Sequence, residues 1–208
     1  MIRLAILDAA TSPHRRGSAV AAWVSELARR NRAFEVDDVH LQEMGLPFFD
    51  EPELPRYRRY VHEHTRAWSQ RIEPADAFII VSPEYNRGYS ALLKNALDYL
   101  AQEWAFKPVG LVSYGSGMTA GLRGAEALRP VLSALQMYPV REMVVVPFID
   151  EHLHDGLFRP TEGMIEGGEL MLDALVRMDA AMHLLRTPLE EIGDQQGESA
   201  PGPTRAQW

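Results

Sequence analysis

The sequence of 208 residues contains no cysteine. Disulfides, thiolate nucleophiles and cysteine-bound metals are therefore excluded. Any redox chemistry has to come from a bound cofactor. Basic charge is also short: 21 Lys and Arg stand against 29 Asp and Glu, a formal net charge of −8. No cationic surplus is left to neutralise phosphates, so no nucleic-acid partner is expected. No apolar run approaches the ~20 residues needed to cross a bilayer. The apolar stretch at residues 2–7 is ended by Asp8, too early for a signal peptide. The expectation is a cytoplasmic protein with no membrane partner. Internal repeats are missing as well. With 46% hydrophobic residues, the chain has enough material for one good core and is marginal for two.

What is present is alternation. Residues 4–7, 34–41, 77–81, 107–113 and 140–146 are short, apolar and rich in branched residues, and read as strands. Helical periodicity lies between and after them. Val20, Trp23, Val24, Leu27 and Ala28 form one stripe, with Ser18 or Gly17 as its N-cap. Further helices are predicted over 57–72, from Leu92 to Leu100, over 122–135 and over 164–185, with 147–162 irregular. From residue 187 the chain turns polar and rich in Gly, Pro and Gln. The reading is one domain over 1–186 and a flexible tail over 187–208. Strands alternating with helices predict an α/β fold, a flavodoxin-like five-stranded parallel sheet in the order 2-1-3-4-5 with helices on both faces.

In such sheets ligands bind beyond the carboxyl ends of the strands. Three loops qualify. One follows the first strand and opens onto a helix N-terminus, a natural anion site. A second, Ser82-Pro83-Glu84-Tyr85-Asn86-Arg87-Gly88-Tyr89-Ser90, follows the third strand, and the third is Ser113-Tyr114-Gly115-Ser116-Gly117. Their prolines, glycines and amides suit rigid backbone edges lying against a flat polar ring.

The block Pro83-Glu84-Tyr85-Asn86, continued by Leu93-Lys94-Asn95-Ala96-Leu97-Asp98-Tyr99-Leu100, resembles the signature of the NADPH-dependent FMN reductase family. That family has a flavodoxin-like fold and includes quinone, azo-dye and chromate reductases. Trp68, Asp76-Ala77-Phe78, Glu103-Trp104, Lys107-Pro108 and Gly121-Leu122-Arg123 extend the likeness over most of residues 1–186. The resemblance implies FMN as cofactor and NADPH or NADH as donor. It implies hydride transfer to flavin N5, and then reduction of a small-molecule electron acceptor by a ping-pong route. It also implies a homodimer or homotetramer. Carried over by position, Pro83, Glu84, Tyr85, Asn86, Ser113, Tyr114, Gly115 and Ser116 would meet the flavin ring. Their backbone N–H groups and hydroxyls would favour the negative charge of reduced flavin.

The first loop departs from the pattern. Asp8 and Ala9 stand where the family has Gly and Ser, and its following Arg is missing. A carboxylate beside a phosphate is a like-charge contact. Thr11, Ser12, His14, Arg15, Arg16 and Ser18 are available to compensate, together with the helix amides. Two readings follow. Either FMN is held by a rearranged loop, or the domain is a binding or regulatory module with weakened flavin affinity; a flavodoxin-type electron carrier is a third option. No metal site is expected, because His62 and His64 are two apart and cannot share a helix face. Lys94 and Asn95 read as braces between the second loop and its helix. Trp104, Tyr89 and Met118 read as packing or dimer contacts.

Overall fold

A computed structural model describes residues 1–11 and 16–187. The strands are β1 (Ile2–Asp8), β2 (Phe34–His40), β3 (Ala77–Pro83), β4 (Pro108–Tyr114) and β5 (Tyr138–Val146). They form one sheet in the order β2-β1-β3-β4-β5, and every neighbouring pair is parallel. This is the flavodoxin-like order expected from the alternation. Five helices cover the faces: α1 (Arg16–Arg30), α2 (Glu63–Ile72), α3 (Ala91–Asp98), α4 (Leu122–Ala134) and α5 (Glu162–Arg186).

The pleat sorts the strand residues between two cores. Leu4, Ile6, Ile79, Val81, Val112 and Tyr114 face α1 and α5. Ala5, Leu7, Phe78, Ile80, Val109 and Leu111 face α2, α3 and α4. Burial on both faces is why these strands read as apolar runs and not as alternating ones. On the second face Trp68 and Trp104 are fully buried, and their indole N–H groups donate to the carbonyls of Ala96 (2.9 Å) and Leu97 (3.1 Å). Trp104 is thus a packing residue, as expected.

Besides shifts of one or two residues at strand and helix ends, three features differ from the sequence reading. First, α2 starts at Glu63, not at residue 57. The buried Glu51 carboxylate accepts the amides of Val61 (2.9 Å) and His62 (3.1 Å), and Arg66 donates to the carbonyls of Tyr60 and Val61. These partners satisfy an extended backbone, so the helix begins only after His62. Burial pushes the Glu51 carboxyl up, but bonds from Thr65 and the two amides outweigh it and hold it below its ordinary value. Second, α1 already includes Gly17 and Ser18, which lie in its first turn and do not precede it. Third, the segment read as irregular contains a small hairpin, Leu153–His154 paired with Leu157–Phe158.

At the amino ends of the strands, Lys107 is 7% exposed. Its Nζ donates to the Glu73 carbonyl (2.8 Å) and lies 5.7 Å from the Phe78 ring centre. Burial pushes its ammonium down to about 8. Among the described residues, no helix is long and apolar enough to cross a membrane. Nor does any group of three His, Cys, Asp or Glu stand ready to hold a metal ion.

Candidate active site

The chain runs outward from β1 to β2 and then returns to build β3, β4 and β5 on the other side, so the strand order reverses between β1 and β3. The three loops meet above that point. Ala9 donates its amide to the Val81 carbonyl (3.0 Å), and Ser90 donates its hydroxyl to the Ala9 carbonyl (3.2 Å) while capping α3. Above them Thr11 Oγ1 and the Tyr85 hydroxyl are 2.9 Å apart, a hydrogen bond spanning the crevice.

The first loop is organised by Asp8. Its carboxylate is 4% exposed and accepts the Ala10 amide (2.9 Å) and the Ser18 hydroxyl (2.6 Å), and His40 Nδ1 stands 3.1 Å away. An aspartate binding the amide two residues on is a turn-forming motif, and its charge lies beside the N-terminus of α1. The sequence reading set Asp8 against a phosphate; here its charge is answered from within the chain. Ser18, a predicted phosphate ligand, donates its hydroxyl hydrogen bond to Asp8. Gly17 permits a close approach: a Cβ there would stand 2.1 Å from the Tyr114 hydroxyl. Ser12, His14 and Arg15 lie outside the described residues.

The second loop is closed on itself. Tyr85 and Gly88 exchange both backbone bonds (2.8 and 2.9 Å), and Asn86 and Arg87 between them have φ of 50° and 71°. That is a two-residue hairpin turn with both central residues left-handed. Pro83 is buried at the end of β3, while Tyr85, Asn86 and Arg87 are exposed. Glu84 is engaged by the start of α4. Its Oε1 accepts Arg123 Nε (2.7 Å) and a second guanidinium nitrogen (2.6 Å), and Arg123 also donates to Thr119 (3.1 Å). The N-terminal turn of α4 presses on this loop; a Cβ at Gly124 would come within 2.9 Å of the Gly88 carbonyl. Lys94 and Asn95 do a different job from the one expected. Lys94 pairs with Asp98, and Asn95 bonds the Pro47 carbonyl and the Phe49 amide, bracing the loop after β2.

In the third loop Ser113 is buried and its hydroxyl has no partner. The Tyr114 ring turns into the core beside α1. Burial, with Asp8 and Tyr85 nearby, holds its phenol above the ordinary value. Gly115 is fixed by its amide to Val146 (3.2 Å) and its carbonyl to the Ile149 amide (3.1 Å). Asp150 then joins two loops: one oxygen is 3.1 Å from Arg16 Nε, the other 3.4 Å from the Ser116 hydroxyl. Sequence reasoning missed Asp150 and the brace formed by Arg123, because both act on residues far along the chain.

These features fit a flat, anionic cofactor. The amides of Asn86, Arg87, Ser116, Gly117 and Met118 pair with no backbone carbonyl among the described residues. The Ser113 hydroxyl is unused, and Arg16 opens α1 next to the crevice.

A doubly wound sheet with polar loops gathered at its switch point defines the flavodoxin-like class. Residues 2–151 match the family model for NADPH-dependent FMN reductases, and the chain belongs to that family. It is an oxidoreductase that works with FMN and NAD(P)H. It is 38% identical over 143 residues to an NAD(P)H-dependent FMN reductase of Schizosaccharomyces pombe, covering 68% of this chain and 70% of the relative. It is 32% identical over 126 residues to a quinone reductase of Pseudomonas putida, covering 57% and 62%. In fold it is similar to the flavoenzyme FerB, an NAD(P)H:(acceptor) oxidoreductase from Paracoccus denitrificans. There the TM-score is 0.71 at 17% identity, over 86% of this chain and 99% of that one.

Proposed function

We propose that this protein reduces small organic acceptors, quinones first among them and azo compounds or free flavins after, at the expense of NAD(P)H. The observation that carries the reading is the rigid crevice at the switch point, bridged by Thr11 and Tyr85 and edged by unpaired amides. When bound, FMN would supply the redox chemistry, a two-electron exchange between NAD(P)H and the acceptor.

The chain's own groups bind and orient. The backbone of Pro83, Glu84, Tyr85 and Asn86 and that of Ser113, Tyr114, Gly115 and Ser116 edge the ring. Thr11, Arg16 and the first turn of α1 take the phosphate, with Ser12, His14 and Arg15 between them in sequence. The Arg123 brace on Glu84 fixes the second loop, so its amides are aimed before any ligand arrives, which lowers the ordering cost of binding. No acid–base pair is required of the protein. Donor and acceptor use the same open side of the crevice in turn, which gives ping-pong kinetics.

The rival reading, a module with failing flavin affinity, was motivated by Asp8. The burial of that carboxylate among three polar partners answers the charge part of that motive and supports the first reading. We also propose a cytoplasmic homodimer or homotetramer. The exposed Phe48, Leu54, Tyr57 and Val61, close together in sequence, support a covered surface.

The test is direct. Purified protein titrated with FMN should bind it and oxidise NADPH with menadione, in parallel-line kinetics. Protein that is colourless as purified and stays inert with added FMN overturns the reading.

A further inference from the structure

The tip of the second loop contains a residue whose conformation and charge are both out of place. The turn between Tyr85 and Gly88 needs left-handed backbone at both central positions, where glycine is favoured. Gly88 is one position too late to help, and Arg87 adopts φ of 71° instead. A bulky residue held in that region is strained, and such strain collects at ligand-contacting positions.

The charge is equally unusual. Four described cations come from the loops and helix starts around the crevice. Arg16 is paired with Asp150, Arg123 with Glu84 and Lys94 with Asp98. Arg87 is exposed, and among the described residues it has no hydrogen bond, ion pair or ring contact. In a chain of net charge −8, an unpaired guanidinium at the rim of the crevice is a local attractor for anions.

We propose that Arg87 binds a phosphate of the nicotinamide dinucleotide and sets the affinity for the electron donor. This rests on the oxidoreductase reading of the crevice. On that reading the FMN phosphate would be held by the first loop and the start of α1, on the Thr11 side of the Thr11–Tyr85 bridge, and not by the second loop that carries Arg87. Quinones carry no anion for a guanidinium to hold. The dinucleotide does, and its phosphates lie on the arm beyond the nicotinamide, outside the ring contacts made by the loop backbone. A planar guanidinium offers paired donors to a phosphate. Two sources share this chemistry: the pyrophosphate, common to NADH and NADPH, and the 2′-phosphate of NADPH alone.

Arg87→Gln, Arg87→Lys and Arg87→Gly are compared with wild type in the FMN-loaded protein. One readout is KM for NADPH and for NADH with menadione. The other is calorimetric binding of NADP⁺ and NAD⁺, which needs no turnover. Arg87→Gln should raise KM for NADPH and weaken NADP⁺ about tenfold, the size of one charge-assisted contact. Equal losses for both dinucleotides assign the pyrophosphate, and a loss confined to NADPH and NADP⁺ assigns the 2′-phosphate. Arg87→Lys should retain most of the affinity. Arg87→Gly should lose it like Arg87→Gln while melting at a higher temperature, because it relieves the backbone. Unchanged dinucleotide affinity in Arg87→Gln overturns the proposal, as does a loss confined to FMN. Wild type that neither binds FMN nor oxidises NADPH overturns the underlying reading instead.

Discussion

Asp8 and Lys107 are both buried charges, one at each end of the central strands, and the fold treats them differently. Asp8 receives an amide and a hydroxyl, with an imidazole nitrogen at 3.1 Å, and lies beside the N-terminus of α1. Lys107 gives one bond to a carbonyl and rests on the Phe78 ring, and its ammonium is pushed down to about 8 by burial. The first charge is satisfied and organises a loop; the second is tolerated. The difference separates the ends: at the carboxyl ends a buried charge organises a loop, while at the amino ends it ties the start of β4 to the end of α2.

The largest expected effect breaks the Asp8 side. Asp8→Ala strands the Ala10 amide and the Ser18 hydroxyl, and should lower the free energy of unfolding in urea by about 3 kcal/mol. A loss well under that would mean the two ends are not so different. Gly17→Ala attacks the same end through shape. Its Cβ would meet the Tyr114 hydroxyl at 2.1 Å, and the thermal midpoint should fall by the equivalent of about 2 kcal/mol. Lys107→Met tests the other end with the opposite sign, and should stabilise the protein at pH 7 by about 1 kcal/mol.

The pH dependence sharpens that test. Between about 8 and 10.5 the unfolded chain holds the Lys107 proton and the folded chain does not, so wild-type stability rises with pH across this window. The slope relative to Lys107→Met should reach up to about 1.4 kcal/mol per pH unit. Comparing the two proteins in urea cancels every titration they share. The smallest effect belongs to Ser113→Ala. Its hydroxyl has no partner, so the stability of the ligand-free protein should move by less than about 0.5 kcal/mol.

The strands were legible because parallel strands buried on both sides leave uninterrupted apolar runs, as at residues 77–81. The second loop was legible because its residues are consecutive. What escaped was long-range pairing. Nothing near Glu84 announces Arg123, 39 residues on, and nothing near Arg16 announces Asp150. Asp8 was read through the charge of an expected ligand, and its real partners include His40, brought beside it by the pairing of β1 with β2. The start of α2 was misplaced for the same reason: apolar spacing continues through residues 57–62, but Glu51 and Arg66 have taken the backbone groups a helix would use.

The two buried tryptophans carry one more consequence. Trp68 and Trp104 both hang from carbonyls near the end of α3, the helix that leads directly out of the second loop. With Trp23 and Trp208 replaced by Phe, their fluorescence becomes an optical gauge of the helix that follows the second loop. Shifts in their emission report strain reaching α3, without any added label.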